Sequence, residues 1–193
     1  MTWQTELQSW RFPTNITTSG PPAVGQKAPE TSKLGGLGKD GKPVVVTFLR
    51  HCGCPFAEKT FKSMRDTAPT HPDIRFIAVS HSDQEATNRW LEALGGPADV
   101  EVVIDPERES YAAWGLGVTS FWHVLNPWSL YAVYTLGKQD NIWNRDTESG
   151  TRWQSSGSFA VGGDGTVKWG GASGSADYVP GFEEAVGEVE RKG

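Results

Sequence analysis

The chain has 193 residues, 37% hydrophobic and 21% charged, with 23 Gly and 12 Pro. That suffices for one domain over the whole of 1–193, a sheet covered on both faces and joined by many turns, and it excludes a disordered or fibrous protein. A net charge of −5, with no Lys/Arg cluster interleaved with aromatics, excludes the electrostatic footprint of a nucleic-acid partner.

The opening segment Met1 to Glu6 lacks the basic start and apolar run of a secretory leader, so a cytoplasmic location is expected. Residues 1–35 carry Pro13, Pro21, Pro22 and Pro29 and read as an irregular arm wrapping the domain. Pro43 to Leu49 is a continuous apolar, β-branched run, the pattern of a central strand covered on both faces. After Cys54, the residues Ala57, Phe61, Met64 and Ala68 recur at helical spacing, and Pro69 closes the segment. Ile74 to Ser80 is a second strand. Ser82 and Glu85 form a capping box for a helix with Ala86, Trp90 and Leu94 on one face and Gly95 as its stop.

Val100 to Ile104 is a third strand, and Asp105-Pro106 is a helix start whose helix ends at Gly115. This alternation implies right-handed crossovers and a mainly parallel half-sheet. Residues 120–153 form an insertion rich in aromatics, among them Trp122, Trp128, Tyr131, Tyr134, Trp143 and Trp153. Asn126-Pro127 should start a helix that Gly137 ends, leaving Lys138 to Thr151 as a mobile loop. The apolar stretch from Phe121 to Leu136, interrupted by His123, Asn126 and Pro127, is short for a bilayer span and reads as buried in protein, so no membrane partner is expected. Ser158 to Val161 and Thr166 to Trp169 flank a Gly-rich turn as an antiparallel hairpin, and Phe182, Ala185, Val186 and Val189 stripe a last helix. The fold class is therefore α/β, a mixed central sheet flanked by helices in the thioredoxin-like arrangement.

Two cysteines one residue apart are too few for a disulfide scaffold and suit thiol chemistry or simple packing. Cys54 stands where a central strand opens into a helix, with Pro55 as the first helical residue. Unpaired N–H groups and the positive helix end gather there, which favours thiolate. Arg50 and His51 can add positive charge, and ligands of such sheets collect at the carboxyl ends of the strands. Cys52 and Cys54 either pair in a small, strained and easily reduced ring or never pair, leaving Cys54 to work alone. His51 is either a general base or a residue that hydrogen-bonds the strand end. His81, also at a carboxyl end of the sheet, either faces the same cleft or is part of an exposed turn with Ser80 and Ser82. Cys-x-Cys lacks zinc-ligand spacing, so neither metal nor cofactor is expected.

Thr47-Phe-Leu-Arg-His-Cys-Gly-Cys-Pro-Phe-Ala57, together with the hairpin Gln154-Ser-Ser-Gly-Ser-Phe-Ala-Val-Gly-Gly-Asp-Gly165, resembles the AhpC/TSA-type, peroxiredoxin-like branch of the thioredoxin superfamily, in its fungal form. The resemblance implies a thioredoxin fold and thiol-dependent redox chemistry with Cys54 as the attacking sulfur. The chain departs from that pattern at Ala57, where relatives carry a second Cys, at His51 in place of Thr or Ser, at Thr47 in place of Pro, and at Gly157 in place of a cis-Pro. Arg50 and Arg152 are the candidates for an activating Arg.

The expected function is a thiol oxidoreductase, an antioxidant enzyme of the peroxiredoxin-like kind. Its Cys54 attacks a peroxide or disulfide, and Cys52 or an external thiol reductant resolves the product. The expected catalytic set is Cys54, Cys52, His51 and Arg50. Arg152, Trp153, Gly157, Ser158 and Trp122 are expected to bind substrate, with the aromatic insertion as a lid for a hydrophobic organic molecule, as extra core, or as the interface of a homodimer. The alternative is a non-redox enzyme of specialised metabolism that uses the same cleft for acid–base or covalent chemistry on an aromatic molecule.

Overall fold

The computed structural model describes residues 3–13, 16–120, 122, 124 and 127–191. Five strands form one sheet in the order β3-β2-β1-β4-β5. The central strand β1 (Val44–Phe48) pairs in parallel with β2 (Arg75–Ser80), which pairs in parallel with β3 (Val100–Ile104). On the other side β4 (Gly157–Val161) and β5 (Val167–Ala172) close the sheet as an antiparallel hairpin.

All five residues of β1 are buried, because successive side chains enter opposite layers. Val45 joins a cluster with Phe61, Met64, Trp90 and Phe182, whereas Val44, Val46 and Phe48 join Leu34, Tyr111, Trp114 and Phe159 on the other face. The first layer is built by helices α2 (Pro55–Thr67), α3 (Gln84–Ala93) and α6 (Phe182–Glu190), and the second by α4 (Glu109–Ala113) and the strand-free segment around Leu34.

Several boundaries differ from the sequence reading. Helix α1 (Trp3–Ser9) lies inside the arm expected to be irregular, since the first proline that would break it is Pro13. Helix α3 takes Asp83 rather than Ser82 as its cap, the Asp83 carboxylate accepting from Ala86 N–H at 2.8 Å. Asp105 does cap a helix, but at one remove. A turn closed by Arg108 N–H on Asp105 O intervenes, and the Asp105 carboxylate then accepts from the N–H groups of Glu109 and Ser110, at 3.2 and 2.8 Å.

Helix α5 (Pro127–Asp140) runs past Gly137 and ends at Asn141, which takes the left-handed conformation at φ 55. Gly137 is not a stop. A Cβ there would lie 2.5 Å from the Trp143 ring, so the glycine seats that indole against the helix. Its expected start at Asn126 lies outside the described residues, as do Phe121 and His123.

The described part of the apolar run is buried on one side only. Ala132, Val133 and Leu136 of α5 pack on the core, while Trp128 is 80% exposed and Tyr131 67%. Apolar residues on all sides of one helix cannot all face one core. Among the described residues no helix is long and apolar enough to cross a membrane.

Candidate functional site

The site forms at the carboxyl end of β1. Leu49 still pairs with β2, its N–H donating to Val79 O at 2.9 Å. The chain then turns, Cys54 N–H donating to His51 O at 2.9 Å, and α2 begins. Cys54 is the N-cap in extended conformation, its carbonyl accepting the first helical bond from Glu58 N–H at 3.1 Å, with Pro55 in the first turn where its missing N–H costs nothing. The sequence reading of this junction and the structure agree.

Cys54 is a wall of a cavity of about 140 Å³ that it shares with Arg50, His51 and Arg152. The remaining walls are largely apolar, from Trp10, Phe56, Leu130 and Val133. Arg50 is buried, and its guanidinium donates to the backbone carbonyl of Arg152 at 2.7 Å and, at the outer limit of 3.5 Å, to that of Ala176. His51 is also buried, and its Nδ1 accepts from Gly53 N–H at 3.2 Å with Thr147 Oγ1 at 3.3 Å. An accepting Nδ1 places the ring proton on Nε2. Burial, reinforced by the positive charges of Arg50 and Arg152, holds the His51 pKa well below its ordinary value. The ring is therefore neutral, and the positive charge expected of it is withdrawn.

Cys52 faces elsewhere. Its sulfur lies 3.5 Å from Ser80 Oγ and 3.7 Å from Thr87 Oγ1, in a buried nest of hydroxyls, and its own N–H reaches Ser82 Oγ at 3.4 Å. It borders a second cavity of about 170 Å³ with Arg89, Trp90 and Arg145. Burial pushes its thiol pKa up, against hydrogen bonds from Ser82, Ser80 and Thr87 that pull it down. Both cysteines are free.

What divides the two cavities is the segment 141–151, expected to be a mobile loop but tied down along its length. Arg145 N–H donates to Gly53 O at 3.0 Å, and a Cβ on Gly53 would meet Arg145 O at 2.7 Å and Thr147 Oγ1 at 2.9 Å. The strap thus lies directly on the residue between the cysteines. Arg145 Nε also donates to the buried carboxylate of Glu58 at 2.8 Å, which Lys62 contacts from the next helical turn at 2.6 Å. Burial pushes the Glu58 carboxyl up, but the bonds from Arg145 and Lys62 outweigh it and hold it below its usual range.

Further along the strap, Ser82 Oγ donates to Ser149 O at 3.1 Å, and Thr151 N–H donates to His81 Nε2 at 3.2 Å. His81 is buried rather than part of an exposed turn, because His81, Ser82 and Asp83 are the partners that hold this strap. Burial lowers its pKa to about 4, so it too is neutral.

The structure brings Arg152 to Cys54 but disperses the other expected binding residues. Trp153 is 2% exposed, stacked on Phe12 at 4.3 Å with its Nε1–H on Trp10 O at 3.0 Å, so it anchors the N-terminal arm. Gly157 and Ser158 lie behind Arg50 at a void of about 10 Å³, the scale of a single water, and Ser158 Oγ donates to Thr47 Oγ1 at 3.1 Å. Trp122 is 71% exposed and does not line the Cys54 cavity. The sequence reading missed Trp10, Glu58, Arg145 and Thr147. Of these only Glu58 had a signal, standing one turn from both Cys54 and Lys62.

A sheet of this order, with a cysteine capping the helix that leaves β1, defines a thioredoxin-like fold. Solved structures agree. A peroxiredoxin-like protein from Aquifex aeolicus superposes with a TM-score of 0.60 at 18% identity over 89% of this chain and 88% of that one. A thiol peroxidase from Chromobacterium violaceum does so with 0.58 at 10% identity over 90% and 89%. For AhpC of Enterococcus faecalis the values are 0.53 and 15%, over 78% and 74%. The model of the AhpC/TSA antioxidant enzyme family matches residues 61–173, more than half the chain, and the chain belongs to that family. The matched span begins beyond both cysteines, so their roles rest on geometry. No curated protein matches the chain.

Proposed function

We propose that the protein is a thiol oxidoreductase that reduces peroxides through Cys54, with an external thiol as its reductant. The observation that carries this reading is the placement of Cys54 at the start of α2, on the wall of a cavity it shares with Arg50 and Arg152. There the sulfur stands at the positive end of α2, on a wall that also carries two guanidinium groups. The sulfur attacks the outer peroxide oxygen, the O–O bond breaks, and the departing oxygen leaves as an alcohol or water, with Cys54 oxidised to the sulfenic acid. A reductant thiol condenses with it, releasing water. A second thiol attacks the mixed disulfide and restores Cys54, the two reductant sulfurs leaving as a disulfide.

The position of Cys52 favours an external resolving thiol. Its sulfur is held in the Ser80/Thr87 nest beside the other cavity, and the strap lies on Gly53 between. His51, neutral and on the cavity wall, fits a hydrogen-bond donor to the departing oxygen through Nε2.

The test is dilute peroxide followed by a sulfenic-acid trap and peptide mass spectrometry, with turnover measured on Cys54→Ser. The adduct is expected on Cys54, and the variant, folded by circular dichroism, should lose at least about a hundredfold in rate. Peroxide reduction by Cys54→Ser at the parent rate would overturn the reading. So would an adduct that forms first on Cys52.

A further inference from the structure

The two guanidinium groups of the Cys54 cavity are engaged differently. Arg50 donates to neutral backbone carbonyls, those of Arg152 and Ala176. Arg152 instead meets a carboxylate, forming a short ion pair with Glu6 of helix α1. Its Nε donates to Ser9 Oγ at 3.0 Å, and its guanidinium lies over the Trp10 ring, 4.7 Å from the centroid.

The second oxygen of Glu6 accepts from Thr147 N–H in the strap at 2.9 Å. One carboxylate is thus held between a guanidinium and a backbone N–H, the donor set by which proteins recognise organic acids. The acid that fills it comes from a helix of only seven residues at the edge of the fold. The Glu6 side chain is 37% exposed against 11% for Arg152, so water, and with it a dissolved anion, reaches this pair from the carboxylate side.

We infer that Arg152, which lines the Cys54 cavity, is its anion subsite, that in the resting chain Glu6 holds the guanidinium from outside the cavity walls, and that the organic ligand of this cavity carries a carboxylate that takes the guanidinium from Glu6. The apolar walls set the rest of the ligand. A cavity of about 140 Å³ with Trp10, Phe56, Leu130 and Val133 around it is the size that takes one benzene ring. The ligand is therefore an aryl or short-chain organic acid. If it also bears a hydroperoxide, it is a substrate for the chemistry proposed above, and only that last step rests on the proposed function.

The experiment uses full-length Cys54→Ser protein, which has no sulfur at the site, titrated calorimetrically with benzoate and with benzyl alcohol as its uncharged counterpart. Benzoate is expected to bind the tighter of the two. Glu6→Gln should tighten benzoate about five- to tenfold while moving benzyl alcohol less than about twofold. Arg152→Gln should erase the preference and Arg152→Lys should restore part of it. Equal affinity for the two ligands, or a benzoate affinity that Glu6→Gln leaves unchanged, would overturn the inference. Glu6→Gln exchanges one partly exposed carboxylate for an amide of the same shape and keeps the test decisive even should Arg152→Gln fail to fold. Because this background cannot react, a parent enzyme inert to peroxide that still selects benzoate would remove the proposed reaction and leave the subsite standing.

Discussion

Cys52 and Cys54 are separated by one glycine, yet they live in opposite surroundings. Cys54 caps a helix and looks into a cavity with two guanidinium groups and an apolar wall. Cys52 is packed among hydroxyls, with the carboxylate of Asp83 near enough to push its thiol further up after burial has done so. The backbone reverses direction between them, and the strap 141–151 fills the angle of that reversal. Proximity in sequence therefore says little about which thiol reacts; what decides is which side of the strap each sulfur occupies.

The sharpest way to break this comparison is to release the strap, and acid should do so through His81. Its folded pKa of about 4 lies below the ordinary value of 6.5, so the unfolded chain binds the extra proton first. The stability that the neutral ring contributes is complete above pH 6.5 and is lost as the pH falls towards 4. At pH 4 the loss from this group is about 3 kcal/mol, following the rule that one unit is about 1.4 kcal/mol. Buried His51, its pKa lowered as well, acts in the same direction. Urea midpoints measured between pH 7 and 4 should fall, and should fall less steeply in His81→Gln. Parallel curves for the two proteins would show that the ring does not hold the end of the strap at Thr151.

How far this site could be read in the sequence depends on which interactions build each part. The Val44–Phe48 run and Cys54-Pro55 were legible because strand burial and helix capping are local patterns, complete within a few residues. Asp105 is legible in part: its carboxylate does accept from the start of the helix, but an interposed turn makes Arg108 the N-cap and Glu109, not Pro106, the first helical residue. The strap was not legible. It has no periodicity, and its ties run from Arg145 to Glu58 and from Thr151 to His81, 87 and 70 residues away. Nor could composition tell which side of α5 is covered, since Trp128 and Val133 are both apolar and face opposite ways. Within the insertion Arg152 is legible by its place before β4, but Glu6, its partner, lies 146 positions away.

A second test narrows the comparison to the residue between the sulfurs. A methyl group on Gly53 would collide with the backbone of Arg145 and Asp146, at 2.7 and 3.1 Å, and neither oxygen sits on a flexible side chain. Gly53→Ala should therefore destabilise the fold by about 2 kcal/mol, the usual cost of overpacking, and lift the strap from both cysteines at once. Thermal melts give the first quantity, and protease cutting within 141–151 the second. An unchanged melting curve would mean that the strap already sits loosely, and that the two cavities communicate.

The smallest effect concerns the thiols directly. Burial raises the Cys52 pKa, and the Ser80, Ser82 and Thr87 hydroxyls that hold its sulfur also shield it from an incoming reagent. Cys54 is buried as well and, like Cys52, borders a cavity that a small electrophile can enter, so the difference rests on the raised Cys52 pKa and on the hydroxyls around its sulfur. Iodoacetamide labelling at pH 7.5 of the single-cysteine proteins, Cys52→Ser and Cys54→Ser, should then run about tenfold faster where Cys54 is the thiol that remains. Raising the pH should close part of this gap, because burial raises the Cys52 pKa and its thiolate gains at high pH, whereas Gly53→Ala should close it by opening the path to Cys52. The two responses separate acidity from access. If Cys52 labels faster at every pH, the hydroxyl nest activates its thiol instead of burying it, and the roles assigned to the two sulfurs exchange.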